Sequence, residues 1–188
     1  MPQPTPLKPG PTGCLIRDAS PKDMAATAAI YDHFVQTSAA TFEETSPTSN
    51  DMTDRYMELL GKGLPFLIAG QGNQIVGYAY AGPYRSRSGY RYTVEDSVYV
   101  DQAHLGKGIG RLLLNELINR CTALGYRQMI AVIGDSANTA SIALHSQMGF
   151  KVIGALPATG RKFERWVDTV LMQCALGDGA TTPPNSAS

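Results

Sequence analysis

The chain has 188 residues, enough for one domain of about 150 residues with short extras at its ends. Hydrophobic residues make up 43% and charged residues 17%, so a packed core is available and wholesale disorder is excluded. Lys and Arg number 16, Asp and Glu 16. A general nucleic-acid binder, or a protein held on anionic membranes, draws its affinity from excess positive charge, and this balance argues against both.

No apolar run approaches the roughly 18 residues needed to span a bilayer. Cys14, Cys121 and Cys174 show neither CxxC spacing nor a nearby His cluster, so neither a disulfide framework nor a metal site is expected. The first 11 residues hold five prolines and no apolar h-region, which does not read as a secretory signal. A reducing, cytoplasmic setting is the expectation.

Residues 1–13 read as a flexible Pro-rich tail, because proline lacks an N–H and blocks the α region before it. Residues 177–188 (GDGATTPPNSAS) have little to bury and read as a second flexible tail. One domain, 14–176, lies between. Its first strand is CLIRDA (14–19). Ser20 as N-cap and Pro21 at the first helical position open a helix reaching Gln36, with Met24, Ala28, Tyr31 and Val35 at helical spacing. A second helix covers 50–62 and bears the apolar Met52, Tyr56, Leu59 and Leu60. Strands follow at 64–69 and 74–81 around a GQGN turn, and at 92–100. The helix 109–124 carries Ile109, Leu112, Leu113, Leu117, Cys121 and Leu124 on one side and stops at Gly125. Residues 128–133 form an apolar run of the central-strand type. A helix at 136–148 ends at Gly149, and strands near 150–156 and 165–175 close the chain. The order βααβββαβαββ predicts an α/β fold: a mixed, mostly antiparallel central sheet flanked by helices.

The richest local signal is VYVDQAHLGKGIGRLLLNEL (98–117), in which a strand passes through a glycine-dense turn into a long helix. Gly106, Gly108 and Gly110 let backbone approach a ligand and aim N–H groups at it. The helix N-terminus adds partial positive charge, and Lys107 and Arg111 add full charges. The turn reads as a pyrophosphate cradle. It is neither a Walker loop, which needs GxxxxGK[ST], nor a Rossmann loop, which needs GxGxxG. A plain tight turn is the bland alternative.

HLGKGIGRLLL resembles the acetyl-CoA loop of the GNAT acetyltransferase superfamily, and Asn138 to His145 followed by Gly149-Phe150 resembles that family's next motif. The stretches 81–100 and 131–150 resemble its phosphinothricin and methionine sulfoximine/sulfone N-acetyltransferase branch. Leu105 departs from the family pattern, which carries Gln or Arg there. The resemblance implies acetyl-CoA as cosubstrate and a homodimer. It also implies contacts to the coenzyme from Val98, Tyr99 and Val100, from the turn Gly106, Lys107, Gly108, Ile109, Gly110 and Arg111, and from Asn138 and Ser141.

In strand 92–100 Glu95, Ser97 and Tyr99 share one face, and Val94, Asp96, Val98 and Val100 the other. Glu95 lies about 16 Å from Val100 at about 3.3 Å per residue, so a pantetheine arm laid along the strand brings its thioester back to that carboxylate. Acetyl transfer to an amine needs a base for the ammonium proton, donors for the developing oxyanion and a proton for the thiolate. Glu95 suits the first role if burial raises its pKa, and the resemblance implies that role; a cross-strand partner such as Arg91 is the bland alternative. The resemblance likewise offers His145 as acid to the thiolate, against a structural histidine bonded to a backbone carbonyl. Asn138 can cap its helix whether or not it touches the coenzyme.

Arginine forks suit carboxylate, phosphinate or sulfone oxygens; a solvated basic loop is the bland alternative, and the resemblance implies that Arg85 and Arg87 contact a small anionic amino acid. Phe42 and Glu44 fall where this branch lines its pocket, and the loop 156–166 is a further candidate rim across a dimer. The expected activity is acetyl transfer to the α-amino group of a small amino-acid analogue. The alternatives are another amine (a protein N-terminus, a lysine, a polyamine) or a CoA-binding sensor without turnover.

Overall fold

A computed structural model describes residues 13–184. The expected N-terminal tail, except Gly13, lies outside the described residues, as do 185–188. The elements are β1 (Leu15–Asp18), α1 (Met24–Thr37), α2 (Ser49–Gly61), β2 (Phe66–Gln71), β3 (Gln74–Pro83), β4 (Thr93–Val100), α3 (Ile109–Ala123), β5 (Gln128–Gly134), α4 (Thr139–Gln147), β6 (Lys151–Lys162) and β7 (Arg165–Ala175). This is the order read from the sequence.

The strands form one sheet in the order β1-β2-β3-β4-β5-β7-β6. Only β4 and β5 run parallel; every other pair is antiparallel. Alternation along β4 sends its residues to two helical layers. Tyr99 meets Tyr31 and Phe34 of α1, with ring centroids 4.9 and 5.2 Å apart. On the other face, Leu113 and Ile109 of α3 press onto the bare backbone of Gly77 in β3, where a Cβ would come 3.1 and 3.4 Å from them.

Helix ends follow local chemistry. Thr48 caps α2 by accepting the Asp51 N–H, while the Asp51 carboxylate accepts the Thr48 N–H at 2.8 Å. The predicted N-cap at Ser20 opens a 3₁₀ turn over Pro21–Asp23, and α1 itself starts at Met24. Asp23 draws that turn together, accepting the Ser20 N–H at 2.7 Å and both guanidinium nitrogens of Arg17.

The predicted apolar faces need three adjustments. Leu60 and Leu124 are exposed, and Leu114 is fully buried in α3 where Leu112 is only half-buried. A stripe three to four residues wide on a helix packed across four strands explains the third shift. The stretch 156–166, expected as a loop, is largely β6 and β7 joined by a two-residue turn at Phe163 and Glu164, both with positive φ. Pro157 fits because β6 is the sheet's edge, and a bulge between Leu156 and Gly160 takes up the extra residues. Residues 177–184 lie against the domain: Arg127 donates to the carbonyls of Thr182 and Pro183 at 2.8 and 3.0 Å.

Candidate active site

β4 and β5 pair from Thr93 opposite Gln128 to Asp96 opposite Ala131, and there the pairing ends. Both strands continue, β4 bonded to β3 and β5 bonded to β7, so they part from each other. The β5-facing edge of Ser97–Val100 is left without a ladder partner. Backbone groups in such a place need partners, and an extended ligand can supply them as an added strand does. A cleft of about 790 Å³ opens in the gap.

The glycine turn forms one end of this cleft. Gly106 and Gly108 have φ of +73° and +79°, a conformation that favours glycine, and a Cβ on either would meet nothing. Gly108 caps α3 without a side chain, and its carbonyl is the first helical acceptor, taking the Leu112 N–H at 3.1 Å. The N–H groups of Ile109, Gly110 and Arg111 therefore have no partner in the helix, and the positive end of its dipole faces the cleft. Gly110 has another use: a Cβ there would come 3.2 Å from Leu144 Cδ2, so its bareness lets α3 close on α4. Lys107 turns back onto its own loop, donating to the Ala103 carbonyl at 2.9 Å. Leu105 is exposed at the rim.

Glu95 is half-buried at the point where the strands part. Burial raises its pKa above the ordinary value, the neighbouring Asp96 charge raises it further, and Arg85 opposes. Asp96, one residue on, faces the other way and is buried. Its Oδ2 lies 2.9 Å from His145 Nε2, while His145 Nδ1 lies 2.8 Å from the Ser141 carbonyl oxygen. A carboxylate and a carbonyl only accept, so this pairing stabilises the doubly protonated ring. Burial alone would lower the His145 pKa; the hydrogen bond and charge of Asp96, with the Ser141 carbonyl, outweigh it and raise it. Asn138 caps α4, its Oδ1 accepting the Ser141 N–H at 3.2 Å.

The cleft brings together Phe42, Glu95, the strand Val98–Val100, most of the glycine turn, Asn138, Ser141 and His145. It does not include Arg85 and Arg87. They line a separate depression of about 540 Å³ with Tyr84 and Tyr90, although Arg85 still acts on Glu95 through its charge. Glu44 is exposed and outside the cleft, and its neighbour Glu43 is the inward carboxylate, held by Arg55 at 2.8 and 2.9 Å and by the Tyr31 hydroxyl at 3.0 Å. Sequence reasoning passed over Asp96 and Glu43. For Asp96 a signal existed: a carboxylate on the strand face shared with Val94 and Val98.

A family model described as an acetyltransferase (GNAT) domain matches residues 16–171. The chain belongs to the GNAT acetyltransferase family. This acetyltransferase is 48% identical over 171 residues to the phosphinothricin N-acetyltransferase of Alcaligenes faecalis, covering 91% of this chain and 87% of that one. It is 41% identical over 165 residues to the L-methionine sulfoximine/L-methionine sulfone acetyltransferase of Salmonella typhimurium, covering 88% and 96%. Its fold superposes with a TM-score of 0.90 on the crystal structure of a GNAT superfamily phosphinothricin acetyltransferase from Sinorhizobium meliloti in complex with acetyl-CoA, at 45% identity over 93% of this chain and 95% of that one. The protein is an acetyl-CoA-dependent N-acetyltransferase, and acetyl-CoA is its cosubstrate. The unpartnered helix N–H groups and the open strand edge suit a diphosphate and an amide-bearing arm.

The buried pair makes a prediction for this acetyltransferase. The folded-state pKa of His145 lies above its ordinary 6.5, so the pair's contribution is complete below that value and fades as pH rises through the raised one. Asp96→Asn is expected to cost about 3 kcal/mol below pH 6.5 and to flatten the decline of thermal stability above it, read by melting curves across pH.

Proposed function

We propose that this enzyme acetylates the α-amino group of a small anionic amino-acid analogue of the phosphinothricin or methionine sulfoximine/sulfone kind, with Glu95 as general base. The names of its relatives support the acceptor class. The observation that carries the base assignment is Glu95 itself: half-buried in the cleft, where burial and the Asp96 charge raise its pKa. A carboxylate raised in this way can take a proton from a substrate ammonium, directly or through a water.

The coenzyme supplies an acetyl group activated as a thioester. The N–H groups of Ile109, Gly110 and Arg111, with the turn from Gly106 to Gly108, would hold its diphosphate, and the edge at Val98–Val100 would bond its pantetheine amides. Lys107 would add charge from the loop, and Asn138 and Ser141 would lie beside the arm. Phe42 would wall the acceptor's apolar stem. Arg85 and Arg87 would draw its anionic group from the adjoining depression, and Glu44 would favour its ammonium from the rim.

Both N–H groups of His145 are engaged, so as acid to the thiolate it would first have to leave Asp96 or the Ser141 carbonyl. We assign it the part of a fixed cation in the cleft wall, which leaves proton delivery to another donor.

Val152, Ile153 and Leu156 on the edge strand β6, with Trp166 on its neighbour β7, are exposed, and we propose that a second copy covers them. Cysteines that are all buried and unpaired suit a cytoplasmic setting. No helix among the described residues is long and apolar enough to cross a membrane.

Thiol release from acetyl-CoA across a panel of amines tests the acceptor. Phosphinothricin, methionine sulfoximine and methionine sulfone should be turned over, and a basic peptide and spermidine far less; the reverse order would overturn the assignment. For Glu95→Gln, kcat is expected to fall by about 10²–10⁴ with coenzyme A binding intact by calorimetry. In the native enzyme kcat/KM should climb with pH through the raised Glu95 pKa, since the base must be unprotonated, and the variant should lose that limb. For the interface, Ile153→Glu should convert a dimer to a monomer in sedimentation without changing the far-UV spectrum.

A further inference from the structure

The acceptor side of the cleft is bounded by the segment 38–44 between α1 and α2, of which Thr41 and Phe42 line the cleft. The segment has no helical or strand ladder of its own. One side of it is held by α1 and α2: the Tyr31 hydroxyl bonds Thr41 Oγ1 at 2.6 Å and Glu43 at 3.0 Å, and Arg55 takes Glu43. Its other side is held from the far end of the chain.

Lys162, the last residue of β6, is buried, with only 3% of its surface exposed. Its Nζ donates to the Ser38 carbonyl at 2.9 Å and to the Thr41 carbonyl at 2.8 Å. Burial lowers its pKa, and Glu44 and Glu43 partly offset this. A buried ammonium is costly, and two carbonyl acceptors make a site for it. Two glycines complete the seat. A Cβ on Gly160 would fall 2.5–2.8 Å from three atoms of the Phe42 ring, and one on Gly134 would collide with the Ala39 carbonyl. Backbone carbonyls, ring and loop turn thus converge on the β6–β7 hairpin and the end of β5.

We propose that Lys162 is a positioning residue for the acceptor: it clamps the carbonyls of Ser38 and Thr41 so that Phe42 stands over Gly160 at the mouth of the acceptor site. The hairpin thereby sets acceptor affinity without touching the coenzyme. This rests on the reading that Phe42 borders the acceptor. Lys162 lies outside the turn and strand assigned to acetyl-CoA, so its loss should separate the two substrates.

The test is steady-state kinetics of the full chain with methionine sulfone and acetyl-CoA, for the wild type, Lys162→Met and Gly160→Ala. Lys162→Met keeps the stem and removes the donor. Gly160→Ala keeps the donor and displaces the Phe42 ring, a movable side-chain end, so it carries the test alone should Lys162→Met fail to fold. For both, the acceptor KM is expected to rise about tenfold or more while kcat and the acetyl-CoA KM move less than about threefold. A wild-type acceptor KM in a folded Lys162→Met, or in Gly160→Ala, overturns the clamp. So does a parallel rise in both KM values, which would mark general loosening. If the wild type acetylates no amino acid while still binding coenzyme A, the acceptor reading itself falls, a result distinct from failure of the clamp.

Discussion

The site depends on two parallel strands that stop pairing in the middle of a sheet. After Asp96 and Ala131, β4 and β5 each keep their outer neighbour and lose each other. Opening a sheet from within exposes backbone groups that would ordinarily be bonded. The fold tolerates this because flanking parts fill the wedge. The N-terminus of α3 stands at its open end, α4 lies alongside, and Gly110 lets the two helices close to within contact of Leu144. At the last paired residue, the Asp96–His145 contact ties β4 to α4. A buried ion pair of this kind is weak as a source of stability, yet removing one partner leaves the other charge stranded. Its position suggests a role in fixing where the strands separate.

Glu95 and Asp96 are neighbours in sequence with opposite surroundings. Asp96 is buried and bonded to His145; Glu95 is half-buried, its pKa raised by burial and by the Asp96 charge and opposed by Arg85. Alternation along a strand is enough to produce this division. His145 pairs with Asp96, whose charge in turn raises the Glu95 pKa. Cys121 lies on the buried side of α3, where burial drives its pKa to about 12 and Asp96 adds to the rise. Such a thiol is a poor nucleophile, which fits direct transfer better than an acyl-enzyme.

What was legible in the sequence was what local physics determines. The element order, the glycine turn and the capped helix of Asn138 each rest on residues close together in the chain, and each is found where spacing placed it. Helix faces were legible to within a residue; Leu114 and Leu60 show that depth of burial depends on what the helix lands on. The hairpin of β6 and β7 was misread because Pro157 and Gly160 look like loop residues, whereas an edge strand with a bulge accommodates both. The resemblance implies that Arg85 and Arg87 meet the acceptor; the β3–β4 connection carries them into a depression of their own. Lys162 left no trace at all. Its partners are backbone carbonyls some 120 residues earlier, and a carbonyl carries no side-chain signature.

The two halves of the cleft therefore differ in how they are built. The side assigned to acetyl-CoA is nearly continuous, running from Glu95 along β4 through the turn into α3, so one short stretch determines its shape. The side proposed for the acceptor is assembled from the α1–α2 segment, the end of β5 and the β6–β7 hairpin, which meet through Gly134, Gly160 and Lys162. A substitution in any of these three can move the Phe42 wall while leaving the coenzyme side as it was. An architecture of this kind would let acceptor preference change by small shifts in packing between distant segments, with the acetyl donor and the base proposed at Glu95 held constant.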